Sequence, residues 1–186
     1  RGESANILYR TDCFVLGKAK TVWLSDTPEV FGSRYENSNQ SSCPRTLTYA
    51  LLLPFEKNTT PFWVYSIHTD HVGAEARKKA VAQTLEILCT NREKDGFPAY
   101  LAGDFNAHPD AEEITQIADL APELLDLTQN LKVTFHNYLA PGFAGKKIDY
   151  AFVTPEWKHE KTFVWTERRG NILLSDHYPI ETDLIL

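Results

Sequence analysis

The sequence contains no methionine, and it opens on Arg1 and Gly2 instead of an initiator. No apolar run approaches the roughly 20 residues that a transmembrane helix needs. No signal peptide is recognisable at Arg1. The sequence therefore predicts no transmembrane helix. The missing initiator and the opening at Arg1 predict a fragment or a processed chain.

Cysteine is also scarce, with three residues at Cys13, Cys43 and Cys89. Three thiols cannot all pair within one chain, and their spacing matches no zinc pattern. A Cys13–Cys43 disulfide and three free thiols both remain open. Two glycosylation tripeptides, at 39–41 and 58–60, matter only in a secreted protein. The localisation, secreted or cytoplasmic, therefore stays undecided.

The chain has no excess of positive charge, since its formal net charge is -6. This argues against a broadly basic surface for nucleic acid and weakly against tight duplex binding. It does not exclude a nuclease, because acidic residues gathered around cations contribute to the total. With 186 residues, 42% of them hydrophobic, and no repeat or linker, residues 1–186 are expected to form one domain and a monomer.

Alternating apolar residues and turn signals predict strands along the whole chain. Short strands are expected at Ile7 to Arg10 and Cys13 to Leu16, and longer ones at 47–55, 62–68, 98–103, 148–153 and 180–186. The segment 32–44 is rich in Ser, Asn and Gly and is predicted to be an exposed loop.

Helices are expected to be few. Apolar residues at helical spacing predict a helix over 74–94 that ends before Gly96. A second helix is expected to begin near Ala111, with Asp110 as its N-cap and Glu113 in capping-box register. Few helices among many neighbouring strands predict an α/β sandwich with substantial antiparallel sheet.

A carboxylate and a carboxamide follow the buried strand over 98–103. Asp104 and Asn106 are two residues apart in an extended segment, so both side chains can face one pocket. Such a pair suits a site that holds a divalent cation together with a phosphate. The alternative is a strand-end turn in which both groups only satisfy local backbone.

A second polar cluster combines a carboxylate with an imidazole. Asp176 and His177 precede the last predicted strand, and Asp149 lies in an otherwise apolar one. A buried carboxylate needs a partner, and a carboxylate bound to a histidine fixes its tautomer and raises its basicity. We therefore predict that Asp149 pairs with His177, against the alternative that His177 is a surface residue.

Further candidates lie outside these two clusters. His68 ends the strand over 62–68 and is predicted to contact a phosphate, while the nearby Asp70 and His71 receive no role. Arg45 and His136 are candidate substrate contacts, with a surface or structural role as the open alternative.

These clusters, in this order, resemble the endonuclease/exonuclease/phosphatase superfamily, which includes pancreatic-type deoxyribonuclease, abasic-site endonucleases and deadenylases. The matching pieces are Ile67-His68, Gly103-Asp104-Phe105-Asn106, Lys147-Ile148-Asp149-Tyr150 and Ser175-Asp176-His177. Other stretches are similar to a bacterial-type branch of uncharacterised members: Gly2-Glu3 with Ile7-Leu8-Tyr9-Arg10, Trp23-Leu24-Ser25-Asp26-Thr27-Pro28-Glu29, His68-Thr69-Asp70-His71 with Ala76-Arg77, and Thr134-Phe135-His136.

The resemblance implies a fold and a set of roles. The fold is a DNase I-like four-layer sandwich, in which two sheets pack face to face with helices outside. His177 would be the base toward the attacking water, oriented by Asp149, and Asp104 would position or protonate groups in the transition state. His68 would stabilise the phosphoryl oxygens. Asn106 would hold a phosphate oxygen or the metal, and Asp176 would bind the cation together with Asp104.

The expected cation is Mg²⁺, with Mn²⁺ as a substitute, because hard oxygen ligands suit both. In the family, an Asn and a metal-binding Glu come before the point at which this chain begins. The resemblance therefore implies an incomplete N-terminal part. Residues 1–186 alone are expected to bind Mg²⁺ poorly and to turn over slowly or not at all.

The predicted function is Mg²⁺-dependent hydrolysis of phosphoester bonds by a phosphodiesterase or nuclease. The substrate would be a nucleic acid or a small phosphodiester. Two alternatives stay open: a phosphomonoesterase or lipid headgroup phosphatase, and a non-catalytic form of the same fold that serves a binding role.

Overall fold

The computed structural model describes residues 4–170 and 172–186, so Gly2 and Glu3 of the resemblance lie outside the described residues. In chain order the strands are β1 Phe14–Trp23, β2 Thr46–Pro54, β3 Phe62–His68, β4 Ala99–Asp104, β5 Leu125–Asp126, β6 Asp149–Val153, β7 Lys158–Val164 and β8 Ile180–Ile185. The helices are α1 Ala74–Asp95, α2 Glu112–Thr115 and α3 Ile117–Leu120, with a short 3-10 turn at Asn137–Leu139.

Six of the strands form one mixed sheet in the order β1-β2-β3-β4-β6-β5, and β7 pairs with β8 in a second, two-stranded sheet. Within the large sheet only β3 and β4 are parallel. A parallel pair needs a long crossover, and α1 provides it. The mixed α/β architecture with two sheets and flanking helices confirms the predicted fold class.

The two faces of the large sheet have different coverings. Side chains such as Tyr65, Leu101 and Tyr150 are at most 1% exposed and pack in one core with α1. On the opposite face, Ala151 and Val153 contact residues of the small-sheet region, including Trp157 and Leu184. Because side chains alternate along a strand, every second residue of β4 and β6 points toward the small sheet.

The longer predicted elements agree closely with the observed ones. Helix α1 ends at Gly96, whose φ of +70° is the left-handed conformation that glycine adopts easily. The predicted loop over 32–44 contains no strand or helix, and Cys13, Cys43 and Cys89 are free thiols. No helix within 4–170 and 172–186 combines the length and the apolar composition that a membrane crossing requires.

The N-terminal prediction was wrong in two respects. Residues 7–10 form no strand: their exposure alternates, and Ile7 and Leu8 line a pocket with residues of β3 and β4, but the segment joins no ladder of hydrogen bonds. The strand predicted over 13–16 runs instead from Phe14 to Trp23, because β1 pairs with β2 along its whole length. Its exposed, polar residues concealed this, as did those of β7, which the sequence did not predict.

The second helix was also capped differently. Ala111, not Asp110, is the N-cap of α2, and no side chain caps it. Glu113 does not take part in a capping box, because its carboxylate accepts a 2.8 Å hydrogen bond from Arg77 Nε of α1. A buried ion pair between the helices therefore replaces the local cap.

Candidate active site

Three polar side chains stand in a row across the end of the large sheet. The register of the parallel pair sets His68 beside Asp104, and that of the antiparallel pair sets Asp104 beside Asp149. Side chains alternate between the two faces of a strand, and all three belong to the set that faces the small sheet. The row therefore lies at the edge of the space between the two sheets.

His177 joins this row from the segment that leads into β8. Its Nδ1 lies 2.8 Å from Asp149 Oδ2, the partner predicted for it, and its Nε2 lies 3.8 Å from Asp104 Oδ2. The hydroxyl of Ser175 accepts the His177 backbone N–H at 3.0 Å and shapes the turn. Since the carboxylate of Asp149 accepts the Nδ1 proton, the Nε2 lone pair is free to accept a proton.

His68 and Asp104 of this row, together with His177, line an open cleft of about 480 Å³, and Asp149 lines an adjoining pocket that shares Asp104 and His177. The cleft is lined by side chains of both charges: Arg45, His68, His71, Asp104, Asn106, His108, Phe135, Lys146, Ile148, Asp176 and His177. Arg45 is only 3% exposed. It bonds to His68 Nε2 at 2.9 Å and to His71 Nδ1 at 2.8 Å, so it is held firmly beside the cleft.

Burial and neighbouring charges shift the pKa values of His68, Asp104 and His177 in different directions. Burial, followed by the charges of Arg45 and His177, lowers the pKa of His68 to about 4. His68 is therefore neutral near pH 7, and its 3.4 Å approach to Asp104 is not an ion pair. Its Nε2 accepts the N–H of Arg45, so its own proton is on Nδ1.

The pKa values of Asp104 and His177 move upward. Burial and the Asp149 carboxylate raise the pKa of Asp104 to about 6. Burial alone would lower the pKa of His177, but the hydrogen bond to Asp149 and its charge hold that pKa above its ordinary value. An acid that is partly protonated near neutral pH thus stands beside a histidine with strengthened basicity.

The turn after β4 is held by a buried threonine that the sequence did not single out as functional. Thr69 is fully buried; its hydroxyl donates to Phe105 O at 2.5 Å and its carbonyl accepts Asn106 Nδ2–H at 3.2 Å. Asn106 has a φ of +47° and donates its backbone N–H to Asp104 Oδ1 at 2.8 Å. Asn106 therefore forms the strand-end turn and also lines the cleft, so the two alternatives considered from the sequence apply together.

Carboxylate and imidazole groups here are close enough to hold a cation. Ligand atoms of Asp104, Asp149 and His177 all lie within 4.8 Å of one another. The predicted metal residue Asp176 lines the same cleft, together with Asp104 and Asn106. The donor atoms that the geometry groups together are thus those of Asp104, Asp149 and His177, while Asn106 and Asp176 share the cleft with Asp104.

Two residues of the sequence motifs lie behind the cleft. His136 is 3% exposed, packs on Tyr178 with ring centroids 4.2 Å apart, and does not line the cleft. Asp70 is 2% exposed, and its carboxylate accepts backbone N–H groups of Ser41, Val72 and Gly73. Both side chains stabilise the segments that carry the cleft residues.

The sequence and the fold are similar to those of known proteins. The model of the Endonuclease/Exonuclease/phosphatase family matches residues 19–177. An endonuclease/exonuclease/phosphatase from Bacteroides vulgatus is 29% identical, with a TM-score of 0.82 over 96% of this chain and 68% of its own. A mannosyl-6-phosphatase from Bacteroides thetaiotaomicron is 25% identical, with a TM-score of 0.82 over 96% of this chain and 69% of its own.

A more distant structure has the same fold. The human Nocturnin catalytic domain, with a bound sulfate anion, is 14% identical and has a TM-score of 0.64 over 93% of this chain and 61% of its own. At that identity the likeness concerns the fold alone. No curated protein matches the chain significantly.

Proposed function

Because the chain belongs to the endonuclease/exonuclease/phosphatase family, we propose that it hydrolyses phosphoester bonds with the help of a divalent cation. The observation that carries the proposal is the contact between His177 Nδ1 and Asp149 at 2.8 Å, with Nε2 directed toward the cleft beside Asp104. Hydrolysis needs a base for water, an acid for the leaving oxygen and a cationic environment for the phosphoryl group. Each of these has a candidate in the cleft.

His177 is the proposed base. Asp149 holds its ring by the Nδ1 proton, so Nε2 accepts the proton of the attacking water. As the proton arrives, the carboxylate of Asp149 stabilises the imidazolium. Asp104, whose pKa is raised to about 6, is partly protonated near neutral pH and donates a proton or hydrogen bond to the leaving oxygen.

Arg45 and His68 are the proposed contacts of the phosphoryl oxygens. The guanidinium is buried, so its attraction for an anion is weakened little by solvent. His68 fixes one of its nitrogens at 2.9 Å. Asn106 contributes a polar side chain to the same cleft. His136 affects binding only indirectly in this scheme, because it is buried against Tyr178.

The oxygen donors of Asn106 and Asp176 fit Mg²⁺, with Mn²⁺ as a substitute. Asp104 joins this set only in its ionised form, because a carboxyl group that binds a cation is deprotonated. Its protonated form is the proposed acid. This set leaves His177 bonded to Asp149 and available as a base, so we prefer it to the set that includes the imidazole. When bound, the cation would neutralise phosphoryl charge and increase the acidity of a bound water.

Among phosphoesters, we rank monoesters ahead of the diesters that the sequence alone favoured. A monoester carries more negative charge, and the cleft is lined by Arg45 and Lys146 as well as four histidines. The likeness to a mannosyl-6-phosphatase supports the same order. Phosphodiesters, including nucleic acid, are the second candidate, since the family includes nucleases as well as phosphatases.

The test is hydrolysis of p-nitrophenyl phosphate, mannose 6-phosphate and bis-p-nitrophenyl phosphate by the full-length gene product, with Mg²⁺ or with EDTA. The variant is His177→Ala, and the matched control is His159→Ala, an exposed histidine of β7. We expect metal-dependent release that is lost in His177→Ala and retained in the control. Equal rates with EDTA and Mg²⁺, or full activity of His177→Ala, would contradict the proposal. Silence on every ester would favour a non-catalytic binding role.

A further inference from the structure

Thr134 connects the two segments that carry Asp149 and His177. The residue is fully buried. Its hydroxyl oxygen accepts the backbone N–H groups of Ile148 at 3.0 Å and Asp149 at 3.1 Å. Its carbonyl oxygen accepts the backbone N–H of Tyr178 at 2.7 Å. The hydroxyl of Thr134 thus contacts the backbone at Asp149, and its carbonyl contacts the backbone next to His177.

Strand β4 pairs with one side of β6 as far as Asp149, but on the other side the site end of β6 is held by this contact, because β5 is short. Strand β5 pairs with β6 only opposite Phe152 and Val153, at the far end. Near Asp149, Thr134 and Phe135 bond to residues 146–149 instead: both of their N–H groups donate to Lys146 O, at 2.8 and 2.9 Å. The hydroxyl then extends the contact to Ile148 and Asp149 themselves.

The residues after Thr134 reach the His177 side of the pair. The Phe135 ring packs on the His177 ring, with centroids 4.8 Å apart and planes inclined by 47°. The N–H groups of His136 and Asn137 donate to Asp176 O at 2.8 and 3.1 Å. The segment 134–137 therefore connects the backbone at Asp149 with the loop that carries His177.

We infer that Thr134 is a positioning residue for the Asp149–His177 pair, an inference that rests on the proposed function of that pair. Its hydroxyl fixes the backbone from which the Asp149 carboxylate reaches His177, so it sets the direction of Nε2 in the cleft. Arg45 and His68 belong to β2, β3 and their connections, so Thr134 does not support them directly. Loss of the hydroxyl is expected to lower kcat and leave KM almost unchanged.

The experiment compares Thr134→Val, which has nearly the same shape but no acceptor, with Thr134→Ser, which keeps the hydroxyl. The matched control is Thr154→Val. Thr154 is equally buried, and its hydroxyl accepts the Ala99 backbone N–H at 2.9 Å next to the opposite end of β6. Activity is measured in the full-length protein with Mg²⁺ on whichever nitrophenyl ester the wild type hydrolyses.

We expect kcat to fall between about 10-fold and 100-fold in Thr134→Val, because small displacements of a catalytic group have effects of that size. KM should stay within about twofold, while Thr134→Ser and Thr154→Val keep near-wild-type kcat. Unchanged kcat in Thr134→Val, or an equal loss in Thr134→Ser, would overturn the inference. If Thr134→Val does not fold, Thr134→Cys replaces it, since sulfur is only a weak acceptor.

A second measurement needs no substrate. Amide hydrogen exchange by NMR should show faster exchange at Ile148 and Asp149 in Thr134→Val, with unchanged exchange in β4. Unaltered protection at both amides would overturn the inference even if the wild type hydrolyses none of the esters. An inactive wild type with lost protection would instead contradict the proposed function and leave the structural role of Thr134 intact.

Discussion

Replacing Asp149 by Asn removes one negative charge from the pair while keeping the size of the side chain. The carboxylate accepts the His177 Nδ1 proton at 2.8 Å, and the two side chains are 18% and 26% exposed. An amide can donate its own N–H to Nδ1, which would place the imidazole proton on Nε2 and leave no lone pair facing the cleft. The prediction is therefore a loss of kcat, not of substrate binding.

The size of the loss follows from the charge that His177 acquires when it takes a proton. With charge centres about 4 Å apart and an effective dielectric constant of about 20, the interaction is about 4 kcal/mol. Since roughly 1.4 kcal/mol corresponds to a factor of ten in rate, kcat should fall by about a thousandfold. Partial solvent exposure makes this an upper figure, and about a hundredfold is the lower end.

The assay is steady-state hydrolysis of the active ester over a series of Mg²⁺ concentrations. Asp126→Asn is the matched control, because Asp126 is also an aspartate of the large sheet but bonds to Lys147 and Thr128. If Asp149 orients His177, added Mg²⁺ will not restore kcat in Asp149→Asn, and the control will remain active. Retention of more than a tenth of the wild-type kcat would refute the reasoning. Full rescue by Mg²⁺ would assign Asp149 to the cation instead.

Two further predictions concern stability. A Cβ at Gly103 would overlap Ile67 O and lie 2.8 Å from its carbonyl carbon, whereas Gly142 has nothing within 4 Å. Gly103→Ala should therefore lower the free energy of unfolding by more than about 3 kcal/mol and Gly142→Ala by about 1 kcal/mol, and equal urea midpoints would contradict this. Hydrogen bonds from Gly73 and Ser41 outweigh burial and hold the pKa of Asp70 below its ordinary value. That stability is present above the unfolded pKa of about 3.9 and is lost as pH falls through the lower folded pKa. Asp70→Asn should thus cost about 2 kcal/mol at pH 7 and progressively less as the pH falls through the folded pKa, and a difference that does not shrink in acid would be inconsistent with the folded carboxylate being ionised.

Several site residues could be predicted from the sequence because local patterns indicate them. Asp104 and Asn106 follow a strand at a spacing of two, which directs both toward one pocket. Asp149 interrupts an apolar strand, and the cost of burying a carboxylate required a partner nearby. The helix over 74–94 was equally readable, since α1 buries one stripe against the sheet and ends at a left-handed glycine.

Other residues could not be found this way, because their partners are distant in the chain. Thr69 and Thr134 act through backbone groups far from them in sequence, and nothing in the neighbouring residues indicates those partners. The burial of His136 against Tyr178 depends on how the 134–137 segment meets the loop of His177. No composition or spacing distinguishes it from an exposed histidine.

The sequence by itself determined which strands exist in the core, the long helix, the family and the chemical types at the site, since these follow from periodicity and from residue chemistry. Only the tertiary structure decided that His68, Asp104 and Asp149 stand in one row, because strand order and register arise from hydrogen-bonded pairing between distant segments. The same is true of the protonation states. Burial and neighbouring charges, which exist only in the folded chain, lower the pKa of His68 to about 4 and raise that of Asp104 to about 6.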